Sequence, residues 1–138
     1  CVAFTTKRIP DFPVKKNRPA LKHRYFHFLV LQSRHHIYIH KRTEKDIWQN
    51  LHTFYAIEQE KADIEALPYM RNLTLTDVSD EYTQLLTHQK IHGWFYNIKI
   101  GNRLPEGLPE LMKVQKQELK NFAFPRMIIS FLQKNNYL

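Results

Sequence analysis

The stretch Arg24-Tyr25-Phe26-His27-Phe28-Leu29-Val30-Leu31 is a continuous aromatic and β-branched run, and its reading decides the fold. Strands buried on one face alternate apolar with polar residues, whereas an unbroken apolar run indicates a strand covered on both sides. A central strand opening a folded domain at Arg24 is therefore expected. A polar turn at Gln32-Ser33-Arg34 leads into residues 35–41, where Ile37 and Ile39 share one face and His36, Tyr38 and His40 the other. The two segments together predict a hairpin.

Downstream, residues 54–57 read as a short strand and residues 59–67 as a first helix with Ile64, Ala62, Ala66 and Leu67 on its buried side. Residues 84–100 read as one long strand kinked or bulged at Gly93, residues 101–109 as a loop, and residues 111–114 as a brief strand. Pro125 suits the first turn of a closing amphipathic helix that carries Met127, Ile128 and Phe131. Strand pairs interleaved with two helices predict an α+β (mixed α/β) class, with a mixed sheet flanked by helices. No internal repeat or low-complexity tract interrupts it.

Upstream of Arg24 the composition changes. Residues 1–23 hold three of the seven prolines (Pro10, Pro13, Pro19) and six basic residues, with few periodic apolar positions, and read as a basic connector rather than packed structure. The net charge of +8 has the same origin: residues 1–42 contain ten Lys/Arg against Asp11, and residues 43–138 contain eleven against twelve acids. Such a segment either meets a polyanion, gaining salt-dependent affinity for each phosphate it neutralises, or forms a solvated basic tail. At 138 residues one domain with one sizeable core is expected, and a monomer is the simplest oligomeric state. No stretch is long and apolar enough to span a bilayer, and the first residues lack a signal-peptide layout, so a soluble, cytoplasmic protein is expected. The single cysteine, Cys1, stands at the first position and suggests a chain cut from a longer one.

Five of the eight histidines lie between His23 and His40, yet His36 and His40 on one strand face would sit roughly 13 Å apart, too far to share an ion. Ser33, Ser79 and Ser130 have no glycine-rich elbow around them, and three glycines (Gly93, Gly101, Gly107) leave no phosphate-cradling loop. Glu58, Glu60, Asp63 and Glu65 cluster on and before the expected first helix, where a solvated face accounts for them and a magnesium-binding array is the alternative.

The run Asp46-Ile47-Trp48-Gln49-Asn50-Leu51-His52-Thr53-Phe54-Tyr55-Ala56-Ile57-Glu58 resembles a characteristic stretch of the MutY-type adenine DNA glycosylases. Leu85-Leu86-Thr87-His88-Gln89-Lys90-Ile91, the ending Leu119 to Ile128 with its Ala123-Phe124-Pro125, and Arg24-Tyr25-Phe26 are similar to three further segments of that family, in the same order. Pro13-Val14-Lys15-Lys16 looks like the family's basic connector, and Cys1-Val2-Ala3 like the last of four cysteines that hold an iron–sulfur cluster in the parent enzyme.

The resemblance implies a Nudix (MutT-like) C-terminal domain over residues 24–138, joined through residues 1–23 to a catalytic domain of the same chain. It implies no chemistry in this fragment. The domain would recognise 8-oxoguanine opposite adenine in duplex DNA while the catalytic half excises the adenine by base-excision repair, and the [4Fe-4S] cluster would belong to the parent, with Cys1 as one ligand. The family's lesion-reading loop matches Leu86-Thr87-His88: Leu86 would wedge beside the base, Thr87 would offer its hydroxyl and N–H, and His88 would support the loop or meet phosphate or base. Lys15, Lys16, Arg18, Lys22, Arg24, Lys41, Arg42 and Lys90 are the implied phosphate contacts. Trp48 and Trp94 read as core. The glycines and the Arg-Glu pair of a Nudix hydrolase box are missing from residues 57–73. The alternatives are a nucleotide pyrophosphohydrolase using Glu58, Glu60 and Glu65 with magnesium, and a protein-interaction module that docks a partner through the connector.

Overall fold

The computed structural model describes residues 20–101 and 104–138. Cys1, Lys15, Lys16 and Arg18 lie outside the described residues. Eight strands form one hydrogen-bonded sheet: β1 Lys22–Gln32, β2 His36–Lys41, β3 His52–Thr53, β4 Tyr55–Glu58, β5 Thr74–Val78, β6 Tyr82–Leu85, β7 Gln89–Lys99 and β8 Met112–Gln115. Among the described residues one α-helix, α1, spans Arg126–Lys134. At the centre β1 and β7 run parallel along their whole lengths, from Lys22 opposite Gln89 to Gln32 opposite Lys99. The outer edge of β1 takes β4 antiparallel, and that of β7 takes β6 and then β5.

Burial on both faces of β1 follows from its sequence. Phe26, Phe28 and Val30 enter a core built with Phe95 of β7, Phe54 and the helix residues Met127, Ile128, Phe131 and Leu132. Leu29 and Leu31 enter a second cluster on the opposite face with Ile98, Ile100, Ile64 and Met70. Aromatic stacking holds the first core together: Phe95 and Phe131 lie 4.1 Å apart, and the Phe54 ring meets both edge-on. Pro125 precedes α1 as expected, where its missing N–H costs nothing. The Gln84 side-chain oxygen accepts from Met127 N–H (3.3 Å), tying the helix start to β6.

The mixed α+β class stands, and several elements differ from their sequence reading. The hairpin opens immediately: β1 and β2 meet only where Gln32 faces Ile37, after which β2 pairs with β8 and β3. Tyr38, on the face opposite Ile37 and Ile39 with His36 and His40, is buried like the two isoleucines. The expected helix over residues 59–67 is instead two 3-10 turns, Ile64–Ala66 and Pro68–Met70. Asp63 and Leu67 bracket the first turn in extended conformation, and a residue before proline disfavours the helical region, so Leu67-Pro68 breaks what helix-forming composition favours. The expected strand over 84–100 is split by a turn at residues 86–88 into β6 and β7, an antiparallel hairpin.

Gly93 carries no bulge, since pairing with β1 continues through it; the irregularity falls in β5, between Leu75 and Asp77. The glycine serves close approach. A Cβ at Gly93 would stand 2.5 Å from Met127 Sδ and 3.1 Å from the Phe28 ring, so α1 packs directly on this backbone. Gly93→Ala is expected to destabilise the domain by about 1–2 kcal/mol, because Met127 can yield more readily than the Phe28 ring. Urea unfolding measures it; an unchanged midpoint would mean that α1 does not seat against Gly93.

Candidate nucleic-acid interface

The turn joining β6 to β7 is closed by its own backbone, with Leu86 N–H donating to the Gln89 carbonyl (2.7 Å). It is also tied to the central strand, because Lys22 N–H donates to the His88 carbonyl (3.1 Å). Thr87 and His88 are exposed on this fixed turn. Alternation along β6 turns Tyr82 and Gln84 inward and Thr83 and Leu85 outward, and the turn then reverses direction. Leu86 is consequently half-buried and packs against the main core. Leu85 stands out at 69% exposure, a large apolar side chain in water beside the turn. The family resemblance points to Leu86 as the wedge, whereas the leucine that the strand turns outward is Leu85; in a Leu-Leu pair only the strand register tells which one faces out.

Lys22 and Lys90 flank the turn, Lys22 at the start of β1 and Lys90 opposite His23. Behind them runs a column of rings contributed alternately by β1 and β7. His23 stacks on His92 (5.2 Å between centroids), His92 on Tyr25 (4.7 Å), Tyr25 on Trp94 (6.3 Å) and Trp94 on His27 (5.0 Å). Trp94 is thus a half-buried member of a sheet-face column rather than a core residue, whereas Trp48, at 8% exposure, is core as expected. Hydrogen bonds anchor the column's rings. The Gln59 carbonyl can only accept, so His27 donates from Nε2 and its Nδ1 accepts from the Tyr96 hydroxyl. His92 pairs through Nδ1 with the Glu81 carboxylate, and its Nε2 lies 2.9 Å from His23 Nδ1.

Arg24 is engaged elsewhere. Its guanidinium donates to both Glu58 oxygens (2.8 Å each) and to both Asp46 oxygens (2.8 and 2.9 Å), with only 10% of its side chain exposed. It therefore joins β1, β4 and the loop around Asp46 instead of facing solvent as a phosphate contact. Arg42 leans into the same cluster, 3.5 Å from Asp46 and within 6 Å of the Phe26 and Trp48 rings. Lys41 is exposed at the end of β2. Of the described cations expected at phosphate, Lys22 and Lys90 are the two that border the turn.

The Arg24 hydrogen bonds hold the Asp46 carboxyl down at about 2 and the Glu58 carboxyl below its ordinary range, against the opposing effect of burial. Both oxygens of Glu58 are thereby occupied by Arg24, which separates this carboxylate from Glu60 and Glu65 as a ligand set. Among the described residues no group of three or more His, Cys, Asp or Glu is placed to hold a metal ion. No helix among them is long and apolar enough to cross a membrane.

Comparison with known proteins was decisive for the family. The model of the NUDIX domain matches residues 26–134. This chain is a Nudix family member. The fold of this Nudix domain is shared by the MutT protein from Methanosarcina mazei Go1, at a TM-score of 0.61 and 9% identity over 84% of this chain and 94% of that one. The E. coli ORF135 protein is similar at a TM-score of 0.51 and 12% identity, covering 82% and 88% respectively. Among curated proteins the domain is 28% identical over 100 residues to the adenine DNA glycosylase of Buchnera aphidicola subsp. Schizaphis graminum (strain Sg). That alignment covers 72% of this chain and 28% of the length of the glycosylase.

The Arg24 cluster has a pH signature. Folding lowers both carboxyl pKa values, so the stabilisation is complete above the ordinary carboxylate range and is lost as pH falls through the folded Asp46 value of about 2. Arg24→Met is expected to cost about 1–3 kcal/mol near neutral pH, reduced from the fully buried case because Asp46 and Glu58 are partly solvated. The variant should also lose part of the stability decline that the parent shows on acidification. Urea titrations at several pH values test both; parallel pH profiles in parent and variant would contradict the assignment.

Proposed function

We propose that this chain is the Nudix domain of an adenine DNA glycosylase, that it docks duplex DNA through the 85–90 turn, and that it reads 8-oxoguanine opposite adenine while a separate catalytic domain removes the adenine. The observation that carries the reading is the turn itself: Thr87 and His88 exposed, held by two backbone hydrogen bonds and bordered by Lys22 and Lys90. A pre-fixed hydroxyl and N–H can address a base edge without an ordering cost, while the flanking lysines neutralise phosphates. The glycosylase relative and the family-like order of the four sequence segments support the same reading.

Within this reading Leu85, rather than Leu86, supplies the apolar contact beside the lesion, since Leu86 is held by the core. Insertion of an apolar side chain next to a base step is a common device for holding distorted DNA. The iron–sulfur cluster of the parent needs more ligands than this chain has, because Cys1 is its single cysteine. No step proposed for this domain runs through the cluster.

Affinity for duplexes carrying 8-oxoguanine·adenine or guanine·adenine, measured across salt concentrations, tests the proposal. Thr87→Ala should reduce the lesion preference, and Leu85→Ser should weaken lesion binding more than Leu85→Met does. Lys22→Ala or Lys90→Ala should lower affinity for both duplexes and reduce the salt slope by about one each. Equal binding of the two duplexes by the parent chain and Thr87→Ala would leave a DNA-docking module without lesion reading. Magnesium-dependent hydrolysis of 8-oxo-dGTP would instead favour a nucleotide pyrophosphohydrolase.

A further inference from the structure

The parallel β1–β7 ladder has two ends. One carries the 86–88 turn; the other, where Gln32 lies opposite Lys99, carries a second concentration of positive charge. Ten residue steps at about 3.3 Å separate them, so the two sites stand roughly 30 Å apart along the strands. At this far end two clefts, of about 520 and 380 Å³, share Arg34 and Lys116 in their walls and so form one trough. Lys99, Ser33 and Thr76 border one side, and His35 and His36 the other. Among the described residues no acidic residue lines either cleft.

Local structure fixes the trough rather than leaving it to chance encounters of surface side chains. Ser33 N–H donates to the His36 carbonyl (2.9 Å) and closes the β1–β2 turn that presents Arg34. Lys116 N–H donates to the His35 carbonyl (2.9 Å), which holds the segment after β8 against that turn. Beneath them, Gln32 bonds Asn97 through its amide nitrogen (3.1 Å) and accepts from the Tyr137 hydroxyl (2.9 Å). The Lys116 ammonium lies 5.8 Å from the centre of the Tyr137 ring. None of the ion pairs among the described residues involves Arg34, Lys99 or Lys116. Partial burial without a carboxylate partner pushes the Lys116 ammonium below its ordinary pKa, a cost that a bound anion would relieve.

We propose that this trough is a second anion site, which binds consecutive phosphate groups through Arg34, Lys99 and Lys116. Three cations spread over two joined clefts match an extended polyanion better than a single small anion. Arg34 offers a planar fork of donors suited to phosphate oxygens, and the two lysines act as point charges. The phosphates belong either to a nucleic-acid strand or to a free oligophosphate; the recognising chemistry is the same. The proposal does not depend on the lesion-reading role of the opposite end.

Titration of the 138-residue chain with sodium tripolyphosphate, followed by amide NMR against a sodium chloride control of equal ionic strength, tests it. Shifts should concentrate at residues 33–36, 99 and 115–117, and Arg34→Gln/Lys116→Gln should weaken binding at least about tenfold, as loss of charge-assisted hydrogen bonds implies. If the double variant does not fold, Arg34→Gln alone, at an exposed turn, serves with a smaller loss. Thr87→Ala should leave these shifts unaltered, so failure here and failure of the lesion-reading role are separable. A single-stranded oligonucleotide that moves the same resonances identifies the nucleic-acid source, and one that does not identifies the free oligophosphate. Shifts spread over all basic residues alike, or unchanged affinity in the variant, would overturn the site.

Discussion

Parallel pairing of β1 with β7 is the constraint on which the rest depends. Parallel neighbours cannot be joined by a tight turn, so the 56 residues between Gln32 and Gln89 must carry the chain back from the end of β1 to the level of its start. They do so by adding β2, β3 and β4, then the 3-10 turns, then β5 and β6. The same pairing buries both faces of β1, which calls for apolar cover on each side: α1 supplies it on one, the 3-10 segment on the other. Gly93 is where the constraint is tightest, because central strand and helix approach there without room for a side chain.

Charge is divided between structure and surface in a way that composition does not reveal. Arg24 lies within the basic N-terminal third of the chain, yet it is consumed by Asp46 and Glu58, which come from two other parts of the sequence. Arg24, one of eight cations named as candidate phosphate contacts, is a clamp. Lys22 and Lys90, by contrast, meet at the turn only because β1 and β7 are parallel and in that register. The two ends of one ladder thereby become two cationic regions, facing different directions and built from different loops.

What the sequence disclosed follows the same division between local and long-range causes. The continuous apolar run at 24–31 announced a central strand, and Pro125 ahead of Met127, Ile128 and Phe131 announced α1, since periodicity and a fixed φ are local properties. The first helix failed because Leu67-Pro68 outweighed the helix formers before it. Splitting of the long strand at 86–88 carries no glycine or proline to mark it, and Leu86 and Ile91, five residues apart, reach the same core only because the chain reverses between them. The exposed Thr87-His88 tip was legible through its resemblance to a family pattern, but the orientation of Leu85 against Leu86 was not. One residue of register exchanges their roles.

Hydrogen exchange on the chain with an 8-oxoguanine·adenine duplex and with a guanine·adenine duplex tests the central claim most directly. The account predicts protection of the amides of residues 85–90 and of the start of β1 with both duplexes, and markedly stronger protection at Thr87 and His88 with the lesion. Equal protection by the two duplexes, or protection that leaves residues 85–90 untouched, would contradict it.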